Sequence, residues 1–372
     1  MRVLLTVFAR FPEPGKVKTR LAEGIGESAA CSFYRACAER TFRRASKWAE
    51  SSGRNLHIYT TNPQDQRWQK WLGGGWALHP QCSGDIGVRM REALEQGLSD
   101  GYDAVLCIGT DAPGLTQKHL EEACVALRNA DTVIGPSRDG GYYLIGLKRP
   151  VPELFEDMPW STSDVLKETQ QKARAAGVDL RLISALNDVD TASDLRGGAG
   201  KVSAIIPTLN EEDQIATLLA SVKNLGVNEI IVADGGSDDA TVERATRSSA
   251  KVVESVPGRG PQLNAGAQAA EGSTLWFIHA DTEPHPLALW ELGQALRRPE
   301  IVGGAFEIHL HPLTPFLKIL EWAINCRTRH TSSPYGDQAI FVRRSVFEHI
   351  GGFPDWPLME DVELVRRMRR VG

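Results

Sequence analysis

"STLWFIHADTEPHP", Ser273 to Pro286, decides the fold. The run from Thr274 to Ile278 has the length and unbroken hydrophobicity of a strand buried on both faces, as strands of parallel sheets are. A carboxylate follows at Asp281, and Pro284 and Pro286 then turn the chain away. The first half repeats the pattern in "AVLCIGTDAPGL", Ala104 to Leu115, which places Asp111 just before Pro113. In open α/β sheets ligands bind beyond the carboxyl ends of the strands. A carboxylate there can hold a hard cation whose other ligands are water and substrate phosphates. The alternative is an Asp that only caps the next turn or helix, worth about 1 kcal/mol.

Working outward, the chain reads as two series of alternating strands and helices. In the first, strands are predicted at Val3 to Ala9, Asn55 to Thr61, Ala104 to Thr110, Asp131 to Pro136 and Tyr142 to Leu147. Helical patterns fall at Glu27 to Glu50, Ile86 to Leu98, Thr116 to Asn129 and Ser163 to Ala176. Gly197, Gly198 and Gly200 mark a linker. A second series follows, with strands from Val202, at Glu229 to Asp234, Ala250 to Ser255, Ser273 to Asp281 and Val302 to Ile308. Its helices are expected at Asp213 to Leu225, Asp239 to Ser248, Pro261 to Ala270 and Pro286 to Arg297. Such alternation implies an α/β fold of two tandem domains, 1–196 and 200–372, with mostly parallel sheets covered by helices on both faces.

Composition narrows the partners. The 372 residues carry a formal charge of −5, so no global basic field points to nucleic acid. Six cysteines without a CxxC pair read as free thiols in a reducing compartment. The start shows no cleavage site and no 18 apolar residues occur in succession, so a cytoplasmic protein is expected.

Four strand exits of the second half suit a nucleotide diphosphate. "PTLNEE" (Pro207 to Glu212) ends one strand. "ADGGSDDAT" (Ala233 to Thr241) ends the next with Asp234, and Gly236 lets a ligand approach the backbone. "GRGPQLNAGA" (Gly258 to Ala267) offers Arg259 to a phosphate at a helix N-terminus and carries Asn264. "HADTEPHP" supplies Asp281. In this order, and with "MEDVELVRRMRRVG" at the end, these motifs closely resemble glycosyltransferase family 2 over Lys201 to Gly372, and within it the arsenosugar-biosynthesis glycosyltransferases. The resemblance implies a GT-A-like fold and an inverting transfer from a nucleoside diphosphate sugar, UDP-linked, with Mg2+ or Mn2+. Pro207, Asn210, Glu211 and Asp234 would hold the nucleoside. Asp281 would be the metal carboxylate of the usual DxD, whose first Asp is here His279. Asp361, beside Glu360, would be the general base; the alternative is an acid that only complements a helix dipole. Asp337 and Gln338 of "YGDQ" would line the donor sugar and acceptor, unless they form a polar turn before a strand.

The first half has its own loop, "ARFPEPGKVKTRL" (Ala9 to Leu21), in which Gly15 precedes Lys16, Lys18 and Arg20. Three cations beside a strand exit can cradle a triphosphate or pyrophosphate, or simply form a solvated basic turn. The Walker spacing is absent. With "SGDIGVRMREAL", which carries Asp85, and with "GTDAPGL", "GPSRDGGYYLIGL" and "LNDVDTASDL", this half resembles nucleotidyltransferase-like proteins related to molybdenum-cofactor and phospholactate guanylyltransferases. The resemblance implies one metal ligand at Asp111 and a second at Asp190 or Asp188.

The expectation is therefore a metal-assisted glycosyltransferase fused to a nucleotide-binding domain. The acceptor would be a small molecule or a lipid. Two alternatives stay open: a first domain that makes the activated donor by nucleotidyl transfer, and a regulatory protein that only binds nucleotide sugars. "PLTPFLKILEWAIN" places Leu313, Phe316, Leu317, Leu320 and Ile324 on one helical face, either a core helix or a peripheral membrane contact. Family 2 relatives usually continue past the base motif, so a fragment is also expected. Nothing in the sequence speaks to oligomeric state.

Overall fold

The computed structural model describes residues 1–312 and 314–372, so Leu313 of the amphipathic stretch lies outside the described residues. The chain folds as two compact units. One contains Met1–Thr19 and Ala30–Asp190, the other Arg20–Ala29 and Thr191–Gly372.

Seven strands build the sheet of the first unit: β1 (Val3–Phe8), β2 (Asn55–Thr60), β3 (Leu78–Pro80), β4 (Ala104–Gly109), β5 (Thr132–Pro136), β6 (Tyr142–Leu147) and β7 (Leu180–Leu182). They lie in the order β3-β2-β1-β4-β6-β5-β7. All pairings are parallel except those of β6, which runs antiparallel to β4 and β5. The unbroken apolar runs follow from burial on both faces. Leu4 packs with Leu94 and Val105 on one side, while Val3, Leu5 and Val7 pack with Phe42, Trp48 and Leu120 on the other.

Six strands form the second sheet: β8 (Val202–Thr208), β9 (Glu229–Asp234), β10 (Lys251–Glu254), β11 (Thr274–Phe277), β12 (Gly303–Gly304) and β13 (Phe341–Arg343). Their order is β10-β9-β8-β11-β13-β12, with β13 antiparallel to both neighbours. Strand for strand this is the order of the first sheet without its last edge. Asp111 after β4 and Asp281 after β11 therefore leave equivalent central strands.

Differences from the sequence expectation lie at the edges. β3 and β7 have three residues each, too short to show a period. The strand expected at Val302 to Ile308 shrinks to Gly303–Gly304. A Cβ at Gly303 would stand 2.4 Å from both the Phe341 carbonyl and the Met368 side chain, so the backbone passes where no side chain fits. The helix Pro315–Thr331 divides the expected apolar face. Leu317 and Ile324 are half-buried, whereas Phe316 is 73% exposed, and Ile319 and Trp322 on the same outer side are 67% and 68% exposed. Asn325 occupies the inner face, exchanging two hydrogen bonds with the Ile308 backbone at 2.9 and 3.0 Å. A polar anchor thus turns the helix with its apolar side to solvent.

Candidate active site

Asp234 ends β9 buried and fully engaged. Its carboxylate accepts from Thr208 Oγ1 (3.0 Å), Ser237 Oγ (2.6 Å) and the backbone N–H groups of Gly236 (2.9 Å) and Ser237 (2.8 Å). Burial alone would raise its pKa, but the hydrogen bonds, led by Ser237, outweigh it and hold the carboxyl below its usual range. With each oxygen accepting twice, Asp234 shapes the turn that carries Gly236. Asn210, at φ +56°, joins this turn: its N–H donates to Ser237 Oγ at 2.9 Å and its side-chain oxygen accepts from the Asp238 N–H at 3.0 Å.

The sequence reading missed Gln262, which ties three segments together. Its Nε2 donates to the Thr208 carbonyl (2.7 Å) and the Ala233 carbonyl (2.9 Å), joining the ends of β8 and β9, and its oxygen accepts from the Gly258 N–H (3.3 Å). A glutamine in the first turn of a helix reads as solvent-facing. Only its place three residues after Arg259, inside a recognised motif, could have flagged it.

Around this frame opens a cleft of ≈ 260 Å³, lined by Pro207, Glu211, Arg259, His279 and Asp281 among others. Arg259 and Asp281 are exposed. Burial, then repulsion from Asp281 and Asp239, holds the Glu211 carboxyl above its usual range. Among the described residues no group of three or more His, Cys, Asp or Glu forms a metal cage. Asp281 and the repelled Glu211 still fit a hard divalent cation that draws most of its ligands from a bound diphosphate.

Asp361 lies on the far side of His279, joined through Gly336. Its Oδ2 accepts from the Gly336 N–H at 2.5 Å and its Oδ1 from the Val362 N–H at 2.7 Å. A Cβ at Gly336 would fall 2.8 Å from the His279 ring and 3.4 Å from Asp361 Oδ2, so only glycine allows this approach. Burial, with Arg259, depresses the His279 pKa against the pull of Asp281, Asp337 and Asp361. Asp337 Oδ1 is buried without a hydrogen-bond partner. Gln338 is a strut: it donates to the Phe306 carbonyl at 3.0 Å and accepts from Thr328 Oγ1 at 2.9 Å. Asn264 is another, exchanging bonds of 2.9 and 3.0 Å with the Phe353 backbone. Glu360 is buried at the start of the helix Glu360–Met368, and Met359 before it takes φ +67°, a conformation L-residues hold only under constraint.

In the first unit, Gly15 turns the loop after β1 at φ +76°. Tyr34 fastens that loop to the end of β4: its hydroxyl accepts from the Arg10 N–H (2.8 Å), donates to the Arg10 carbonyl (3.1 Å) and meets Thr110 Oγ1 (3.0 Å). Lys18, at φ +47°, sends its ammonium to 3.1 Å from Asp190 Oδ1 and 3.8 Å from Asp111 Oδ1. Burial opposes that charge, but Asp111, Asp190 and Asp188 more than compensate, so the Lys18 pKa is raised. Asp188 is pushed up to about 6 by burial, against Lys18 and with Asp139 adding to the rise, and its Oδ1 has no hydrogen-bond partner. Lys16 pairs with Glu13 at 2.6 Å, and Asp85 caps the helix Ile86–Ser99 by accepting from the Val88 N–H at 2.9 Å. Arg20 belongs to the other unit.

Residues 203–350 match the family described as glycosyl transferase family 2, and residues 45–162 match one described as "Uncharacterized protein conserved in bacteria (DUF2064)". The chain is 37% identical over 109 residues to glucosyl-3-phosphoglycerate synthase of Mycobacterium tuberculosis H37Rv, covering 26% of this chain and 34% of the relative. It is 30% identical over 200 residues to the probable glycosyltransferase YdaM of Bacillus subtilis, 46% and 47% of the two chains. It thus spans between a third and a half of the length of these curated relatives. Among solved structures, a nucleotide-diphospho-sugar transferase from Desulfovibrio desulfuricans G20, described as putative in its own name, is 33% identical, covering 52% of this chain and 84% of that one, with a TM-score of 0.48. A synthase from M. tuberculosis solved with Mn2+, UDP and glucosyl-3-phosphoglycerate is 26% identical, covering 49% and 71%, with a TM-score of 0.39. The protein thus joins two mostly parallel α/β sheets of like strand order, the second matched over residues 203–350 by glycosyl transferase family 2 and the first over residues 45–162 by the DUF2064 family.

Proposed function

We propose that residues 200–372, the domain within the second unit, transfer a sugar from a nucleoside diphosphate donor, UDP-linked, to a hydroxyl of a small acceptor with inversion. The observation that carries this reading is the junction of donor and acceptor sides: Gly336 contacts both His279, two residues before Asp281, and the Asp361 carboxylate. Pro207, Glu211 and the Asn210–Asp234 turn frame the nucleoside end, and Arg259 stands ready for a phosphate. A bound Mg2+ or Mn2+, held by Asp281, would neutralise the diphosphate leaving group. Asp361 takes the acceptor proton: each of its oxygens accepts a single backbone hydrogen bond and keeps a lone pair for the hydroxyl. The relative solved with Mn2+ and UDP supplies the choice of ligands to try first. Incubating the full chain with UDP-sugars and Mn2+ and reading UDP release on addition of phosphorylated small acceptors tests the reading. Binding of UDP with no release for any donor would leave a nucleotide-sugar sensor instead.

A second reading, an acceptor met at a membrane surface by a cytoplasmic protein, is favoured by the outward apolar side of the helix Pro315–Thr331. No helix among the described residues is long and apolar enough to cross a membrane. Phe316, Ile319 and Trp322 are exposed, Glu321 turns to His309, Arg329 pairs with Glu307 at 2.6 Å, and Lys318 stands beside the apolar side as an exposed charge. That combination suits an anionic interface. Sedimentation with phosphatidylglycerol vesicles, lost in Trp322→Glu, is the expected result; no binding in the intact chain excludes it.

A further inference from the structure

We propose that Lys18 is the resident cation of the acidic cluster in the first unit, standing where a divalent metal would otherwise bind. The resemblance of this half implies metal ligands at Asp111 and at Asp190 or Asp188, and the residues present do not fit one. The Lys18 ammonium reaches 3.1 Å from Asp190 and 3.8 Å from Asp111, and Asp188 also feels its charge. A divalent ion drawn to about 2.1 Å from these oxygens would have to compete with the ammonium for Asp190 Oδ1 and Asp111 Oδ1 and would be repelled by its charge.

The lysine is built in. Its side chain is 5% exposed, so the stem is packed and the ammonium lies beneath Asp111 and Asp190, whose side chains are 56% and 36% exposed. The loop is fixed at both ends of the problem: Tyr34 holds Arg10 through both its N–H and its carbonyl, and the same hydroxyl meets Thr110, next to Asp111. Left-handed backbone at Lys18 aims the side chain inward, a conformation that costs energy unless the surroundings hold it.

The equivalent position in the second unit differs. Asp111 and Asp281 are both exposed, but Asp281 lies beside Arg259 and His279, and among the described residues no lysine makes an ion pair with it. Metal dependence should therefore belong to one unit of the two. A first unit whose strand-end carboxylates already share an internal ammonium is poorly arranged for metal-bridged nucleotidyl transfer, and an anionic ligand there would have to compete with those carboxylates for Lys18.

Mn2+ uptake by the full chain, counted by the electron paramagnetic resonance of free ion, decides it. In the wild type, Asp190→Asn should leave the number of bound ions unchanged. Lys18→Met should take up one additional Mn2+ per chain, and adding Asp190→Asn should remove that ion. Lys18→Arg keeps a cation and should gain none. The proposal is overturned if Asp190→Asn lowers uptake in the wild type, or if folded Lys18→Met gains no ion. The Asp190→Asn arm decides even where Lys18→Met does not fold.

Discussion

Asp111 and Asp281 leave equivalent strands of sheets with the same order, yet they meet opposite surroundings. Asp111 faces a buried lysine. Asp281 faces a cleft with an exposed arginine and a histidine whose pKa burial lowers. The fold places a carboxylate at the ligand end of a central strand in both cases. In the roles proposed above, what that carboxylate does is decided by the cation it holds, which is part of the chain in one unit and would arrive with the substrate in the other.

The comparison breaks most sharply at the base. Asp361→Asn keeps the side chain's size and one of its two hydrogen-bond acceptors but cannot take a proton. Transfer should fall by roughly 10² or more while UDP affinity stays within about threefold. Near-normal turnover with both substrates saturating would reduce Asp361 to the anchor of the Gly336 loop. Asp281→Asn should act on binding as well. UDP affinity in Mn2+ should drop about tenfold and become nearly insensitive to chelator, because the charge that helps hold the metal is gone. Equal affinity with and without Mn2+ in the wild type would contradict the assignment. Gly336→Ala should have a smaller effect, about three- to fivefold on kcat, since the new Cβ would displace the His279 ring or the loop by a fraction of an ångström. Unchanged kinetics would show that the loop yields freely.

Much of this was legible in the sequence, and the unread part has physical causes. Long apolar runs fixed the central strands, because residues buried on both faces cannot be polar. β3 and β7 escaped because three residues carry no period, and β12 is shorter than the strand expected over Val302 to Ile308. The motifs located the cleft but not each residue's task. Asn264 and Gln338 stand in the expected places and spend their amides on the Phe353 and Phe306 backbones. Gln262 was unreadable because its partners, the carbonyls of Thr208 and Ala233, lie 54 and 29 residues away along the chain. Lys18 looked like a phosphate contact, since a basic loop after a first strand gives no sign that its ammonium turns back to Asp190, 172 residues on.

The smallest effect sharpens the first-unit side of the contrast. Asp188 has a carboxyl pushed up to about 6, mainly by burial, against an ordinary value near 3.9 in the unfolded chain. Between about pH 4 and 6 the folded state therefore binds a proton that the unfolded state does not, so stability falls as pH rises through this window and the penalty is complete above it. Asp188→Asn removes that proton exchange. With Lys18's attraction already contained in that value, the gain in stability at pH 7.5 should be at most about 3 kcal/mol, a rise of a few degrees in the unfolding midpoint. Below about pH 3.5 the difference between variant and wild type should nearly vanish. If the variant were instead less stable at pH 7.5, ionised Asp188 would be a net partner of Lys18. The internal ammonium would then balance more of the cluster's charge than its contacts with Asp190 and Asp111 account for.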